Sequence, residues 1–217
     1  MGHGAVPPSE ECVAEDRTGA PTKRKLPDLL GVAWVVAAAV AIIAPALSHG
    51  ASLGPYDWID RYGLTAVHGA VRQDIHGDQV TQMIPWTQLA WIQVHQGHLP
   101  LWNPYSALGM PLAFNWQSAA FSLPSLVGYL MPLRLAFTTQ VIVTLLVAGT
   151  GAYTLSRVLK LGVLASAFAG TVFELNGAFI SWLGWPIYSV LSWTGWLFVA
   201  VLFVLRGGRR ARMGKEK

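Results

Sequence analysis

Residues 29–48 read LLGVAWVVAAAVAIIAPALS, a run without one ionisable side chain. A helix rising about 1.5 Å per residue needs roughly 20 predominantly apolar residues to cross a hydrocarbon core of about 30 Å, so this run is long enough to span a bilayer. It is too long, and stands too far from Met1, to be the core of a cleaved signal peptide. Three further stretches meet the same criterion. Residues 135–156 have Gln140 and Thr144 as their strongest polar interruptions, residues 187–205 hold only Ser, Thr and Gly as polar relief, and residues 161–181 contain Glu174 and Asn176. Gly162, Ser166 and Gly170 recur every fourth residue on the last of these, a small-residue face suited to close helix packing.

Composition points the same way. The 217 residues are 53% hydrophobic and only 12% charged, about half the charged fraction of a soluble domain. Mean hydropathy is +0.43. Cys12 is the single cysteine, which excludes a disulfide scaffold.

The net charge of +4 could signal a nucleic-acid partner, but the placement of the bases explains it otherwise. Arg17, Lys23, Arg24 and Lys25 precede the first span, Arg157 and Lys160 separate the second from the third, and Arg206, Arg209, Arg210, Arg212, Lys215 and Lys217 follow the fourth. Only Arg61, Arg72 and Arg134 fall on the opposite side. The positive-inside rule then puts both termini in the cytoplasm, and no nucleic-acid binding is implied.

The expected architecture is an all-α integral membrane protein of about four transmembrane helices. Residues 1–27 form a disordered cytoplasmic tail, 28–48 the first span, 134–156 the second, 161–181 the third, 187–205 the fourth, and 206–217 a basic cytoplasmic tail. Residues 49–111 make a long external loop. Within it PWTQLAWIQVHQG predicts a short interfacial helix near 84–96, with Pro85 in its first turn and Gly97 past its end. Its two tryptophans are expected at headgroup level with their ring edges toward water. Residues 112–133 are nearly long enough to span, but Asn115, Gln117 and Pro124 break them. A re-entrant or interfacial segment is the expectation.

Function is sought in the external loop, which holds Asp57, Asp60, Asp74 and Asp78. The run 77–132 carries Gly77-Asp78-Gln79, then Gly97-His98-Leu99-Pro100-Leu101-Trp102-Asn103-Pro104, Gly109-Met110-Pro111, Asn115-Trp116-Gln117 and Pro124. This order of motifs resembles the amino-terminal region of the YfhO family of bacterial membrane proteins, over roughly residues 70–185. The resemblance implies a multi-pass protein of the bacterial inner membrane, similar to glycosyltransferases of the GT-C class. Such a protein would transfer a sugar from a polyprenyl-phosphate donor to an envelope polymer or protein on the outer face. Asp78 matches the position of the catalytic acid in the first external loop, with the role of general base. Trp102 and Asn103, in the matched stretch, are candidate substrate-binding residues. Members of the family are several times longer, so a truncated enzyme, a non-catalytic subunit or a remnant is the competing expectation, and a transporter fragment a third.

Other residues can be weighed on their own chemistry. Asp78 precedes a helix start, where a cap is the structural alternative. Asp74, His76 and Asp78 alternate, so an extended backbone would set them on one face, where they could contact substrate or a divalent cation; three such residues in a polar loop are more often solvated. No cofactor is specified by the sequence, and a divalent cation is the one candidate. Arg134, between the 112–133 segment and the second span, is placed to meet a lipid phosphate or to snorkel at the interface. Glu174 is the one ionisable group inside a span and must face protein or water. It could line the same cavity as Asp78 or act as a neutral packing residue. Trp182, Trp185, Tyr188, Trp193 and Trp196 read chiefly as an interfacial aromatic belt.

Overall fold

The computed structural model of the chain describes residues 25–48, 52–63 and 76–213, which are mostly helical. In chain order the elements are α1 (Lys25–Ser48), α2 (Asp57–Tyr62), a π-helical turn (Gln79–Met83), α3 (Ile84–His95), β1 (Trp102–Asn103), β2 (Met110–Pro111), α4 (Leu123–Gly128) and α5 (Leu133–Val158). They continue with α6 (Val163–Glu174), α7 (Gly177–Ser181), α8 (Pro186–Leu191) and α9 (Thr194–Met213). Four stretches are long and apolar enough to cross a membrane: Lys25–Ser48, Leu133–Val158, Val163–Ser181 and Pro186–Gly207. They match the four hydropathic runs within a few residues at each end.

Helix α5 is the centre of the bundle. Half of its apolar window is buried, against 17 to 28% for the other three stretches, and it packs against α1, α6 and α9. Glycines allow the close approach. A Cβ on Gly170 would stand 2.8 Å from the Gly149 carbonyl oxygen, and one on Gly195 would strike the Gly151 backbone. Gly170 and Ser166 belong to the small-residue face expected on the third span, whereas Gly162 faces open space.

The helix α1 runs antiparallel to α5, because Asp28 at its start meets Arg157 at the end of α5, Gly31 meets Tyr153, and Val35 meets Gly149. The end carrying Arg157, Lys160 and Arg206 is called the basic end below, the other the loop end. Facing outward from the helices, Leu29, Trp34, Leu164, Phe168, Leu197 and Val204 are each more than 60% exposed. That is far more apolar surface than a water-soluble monomer leaves uncovered.

Two of the long stretches are interrupted, which hydropathy does not reveal. The third stops being helical after Glu174. Asn176 is extended (φ −66°, ψ 155°), and its side chain accepts the N–H groups of Ala178 and Phe179 at 3.0 and 3.1 Å, capping α7 as a new helix. Ser192 and Trp193 separate α8 from α9. Between the two pairs, Gly184 (φ +84°) makes the turn, and a Cβ there would lie 2.6 Å from Phe137 Cζ.

The loop end is covered by the short elements. Helix α3 continues directly from the π-helical turn, with Pro85 as its second residue, and ends ahead of Gly97 (φ +78°). Its tryptophans behave differently from the expectation. Trp86 is only 8% exposed and packs with Ala90, Leu112 and Tyr129, while Trp91 donates its indole N–H to the Met131 carbonyl at 2.8 Å. Indoles bury a large area when they can also satisfy their N–H, and the 112–131 segment offers both. That segment holds one six-residue helix, α4. Ser118, Ser125 and Tyr129 tie its irregular part together by donating to the carbonyls of Leu112, Ala119 and Ala120 at 2.6 to 2.8 Å. Strands β1 and β2 pair antiparallel, Trp102 opposite Pro111 and Asn103 opposite Met110.

Candidate functional site

The triplet Gly77-Asp78-Gln79 is explained residue by residue. Gly77 lies against the indole of Trp58, where a Cβ would approach Nε1 to 2.6 Å. Gln79 is buried and donates Nε2 to the Leu183 carbonyl at 2.6 Å. Asp78, held between these anchors, is exposed. Its carboxylate accepts a long 3.4 Å hydrogen bond from Gln82 Nε2 and makes no capping bond to the turn that follows. The cap weighed as its structural role is therefore not formed. The turn itself is π-helical, a geometry that recurs at functional sites.

The backbone at Asp78 is helical (φ −60°, ψ −30°), so the alternation that would set Asp74, His76 and Asp78 on one extended face does not hold there. Asp74 lies outside the described residues. Among the described residues no three His, Cys, Asp or Glu side chains cluster as metal ligands. His76 lines a cleft of about 260 Å³ with Leu53, Gln79, Phe137 and Leu183.

Trp102 and Asn103 stand in β1. Asn103 is 3% exposed and serves its own turn, accepting the Tyr105 N–H at 2.9 Å and donating to Ser106 Oγ at 3.1 Å. Trp102 is half exposed and covers Gly109, whose positive φ of 105° leaves no room for a Cβ beneath the indole. Arg134 is exposed at the start of α5. Glu174 is completely buried, its carboxyl lodged against Gly149 and Val35, and neither oxygen has a hydrogen-bond partner among the described residues. The surroundings of Glu174 and Asp78 are thus different: one is enclosed within the bundle, the other open at the loop end.

Gln79, next to Asp78 in the chain, is tied to the turn 182–185. Trp182, Trp185 and Tyr188 wall a cleft of about 380 Å³ together with Trp116 and Gln117. Trp182 meets Trp185 edge-on at 5.1 Å and lies parallel to Tyr188 at 6.3 Å. Gln117 and Trp185 also line a smaller polar chamber of about 30 Å³ with Thr87, Gln140 and Thr144. Thr87 donates to Gln140 Oε1 there at 3.4 Å, and the buried Trp185 N–H has no acceptor among the described residues. This polar chamber was not anticipated. Its members are scattered over α3, the 112–131 segment, α5 and the 182–185 turn, and no spacing within one element announces them.

At the basic end, Arg157 Nε donates to Asp28 Oδ1 at 2.6 Å and Tyr153 donates its hydroxyl to the same carboxylate oxygen at 2.9 Å. This cluster also escaped the sequence reading, which weighed Arg157 only for orientation. An acid opening one helix and a base closing its antiparallel neighbour were the available signal. The chain matches no protein-family model, no curated protein and no solved structure.

Proposed function

We propose that the chain is an integral membrane protein with both termini on the cytoplasmic side and residues 112–133 re-entrant. Its loop end, on the outer face, acts on a sugar carried by polyprenyl phosphate, similar to GT-C glycosyltransferases of the YfhO family. The observation that carries this reading is the placement of Asp78. Asp78, exposed and uncapped, directly precedes Gln79, which is bound to the same 182–185 turn that presents Trp182 and Trp185. An aromatic-walled cleft on that turn suits a pyranose, whose C–H face stacks on indole and whose hydroxyls need neutral hydrogen-bond partners.

In this mechanism the Asp78 carboxylate takes the proton of an acceptor hydroxyl while that oxygen attacks the anomeric carbon. The bond from the anomeric carbon to the phosphate oxygen breaks, the lipid phosphate departs, and the configuration inverts. Arg134, exposed where α5 begins, is the cation available to the phosphate. The supporting lines are the distribution of basic residues, the outward apolar faces and the motif order from Gly77 to Pro124.

The test is transfer from a polyprenyl-phosphate sugar in membranes containing the full chain. Asp78→Asn keeps size and hydrogen bonding and removes the base, so transfer should fall by about a hundredfold or more. Membrane abundance should stay constant. Unchanged transfer by Asp78→Asn would show that the carboxylate is not the base, and no transfer by the wild-type chain would favour a non-catalytic subunit.

A further inference from the structure

Glu174 ends α6 in the middle of the bundle, and nothing in the proposed transfer chemistry employs it. It is 0% exposed, and among the described residues neither carboxyl oxygen has a donor. Thr171, one turn earlier on α6, has a buried hydroxyl that also lacks a partner. The carboxyl fills the space that Gly149 leaves free on α5, flanked by Val35 of α1.

The charged and titratable groups on these three helices are accounted for elsewhere. On α1, Asp28 is bound by Arg157 and Tyr153, and Lys25 stands ten residues from Val35, about 15 Å along the axis. On α5, Arg157 is engaged by Asp28, Tyr153 donates to Asp28, and Arg134 lies fifteen residues from Gly149, about 22 Å away. Helix α6 carries no other ionisable side chain. Arg206 of α9, which packs on the far end of α5, donates to the Val158 carbonyl. Among the described residues, therefore, no cation faces the carboxyl. Its place at the carboxyl end of α6 adds the negative end of the helix dipole. An ionised carboxylate so placed loses its hydration with nothing in return, and a bound proton removes the charge.

Two polar groups, the Tyr153 hydroxyl and Asp28, lie between the site and the solvent at the basic end. Val35 marks the level of the Glu174 carboxyl; one turn along α1, a Cβ on Gly31 would touch the Tyr153 hydroxyl at 2.7 Å, and the next turn holds Asp28. The axial step from Val35 to Gly31 is about 6 Å. Asp28 itself is 40% exposed, so the line ends in solvent. We propose that Glu174 is a proton-binding site at mid-depth of the bundle, in exchange with the basic end through Tyr153 and Asp28. The proposal is independent of the role assigned to Asp78.

A lipophilic carbodiimide tests it on the full chain in sealed vesicles. The reagent adds across the O–H of a protonated carboxyl in an apolar setting, and the acyl group then migrates to nitrogen as a stable adduct that mass spectrometry locates. Glu174 should be labelled near neutral pH, Glu174→Gln should lose that label, and a water-soluble carbodiimide should modify Asp78 but spare Glu174. The labelled fraction should follow the pH of the compartment that holds the basic end, and Tyr153→Phe should slow its response to a pH jump. Absence of Glu174 labelling at every pH would overturn the site. Protection by sodium but not by choline would replace the proton with a metal cation, and a response to the loop-end compartment would overturn the route.

Discussion

Gly149→Ala tests the enclosure of Glu174 directly. The new methyl would overlap Glu174 Oε2 and stand 2.7 Å from Glu174 Cδ and 2.6 Å from Val35 Cγ1. At the surface a carboxyl would swing aside at little cost. Here the side chain is fully enclosed, so the clash must be relieved by shifting α1 or α6, an overpacking cost of about 1–3 kcal/mol. Alanine in place of a helical glycine otherwise gains up to about 1 kcal/mol. Gly207→Ala isolates that gain, since a Cβ at Gly207 meets nothing within 4 Å. Gly149→Ala should therefore destabilise while Gly207→Ala stabilises. Two of the three overlaps belong to Glu174, so in a Glu174→Ala background the penalty of Gly149→Ala should shrink by about 1–2 kcal/mol, the size of coupling expected for groups in contact. Gly170→Ala supplies the contrast. Its Cβ meets the Gly149 carbonyl oxygen at 2.8 Å and Val35 Cγ2 at 2.9 Å, and Glu174→Ala should leave its cost unchanged. Reversible unfolding of the purified variants in mixed micelles, followed by circular dichroism, completes both cycles. Equal costs of Gly149→Ala with and without Glu174 would show that the carboxyl does not occupy this gap.

The remaining predictions concern the two ends of the bundle. In a Cys12→Ser background, a cysteine at Ser106 should react with an impermeant maleimide added outside cells, and one at Gly207 should not; the reverse pattern would invert the proposed orientation. Trp86→Ala removes a buried indole and should cost about 3–5 kcal/mol of local stability. Limited proteolysis between residues 84 and 131 should accelerate, and unchanged cleavage would mean that α3 is not docked through Trp86. Burial pushes the Tyr129 hydroxyl from 10.0 to about 12. The folded state thus retains a proton that the unfolded chain releases first, so this contribution is complete below pH 10 and is lost as pH rises toward 12. Thermal melts of the wild type should fall more steeply than those of Tyr129→Phe across that window, and parallel slopes would refute the assignment.

How much of this could be read in the sequence depends on whether the determining interaction is local. The four long apolar stretches were legible because length and polarity alone specify them, and α3 because Pro85 and Gly97 act on their own backbone. The break after Glu174 was less so. Asn176 is a polar residue within an apolar run, and only its bonds to Ala178 and Phe179 turn it from an interruption into a cap. Trp86 illustrates the opposite case, in which a ring edge expected toward water is buried by partners 26 and 43 residues away, Leu112 and Tyr129, while the partly exposed Trp91 gives its N–H to Met131. The candidate site divides in the same manner. Gly77, Asp78 and Gln79 stood out as a motif, yet the reason for the glycine is Trp58 and the reason for the glutamine is a carbonyl 104 positions along the chain. For Glu174 the sequence supplied the anomaly, a carboxyl in an apolar run, and left open whether it faced a cavity or a neighbour. Its neighbour is Gly149, a residue with no side chain. The space for a buried carboxyl is recorded in the sequence only as an absence on another helix, which no pattern within the third stretch could show.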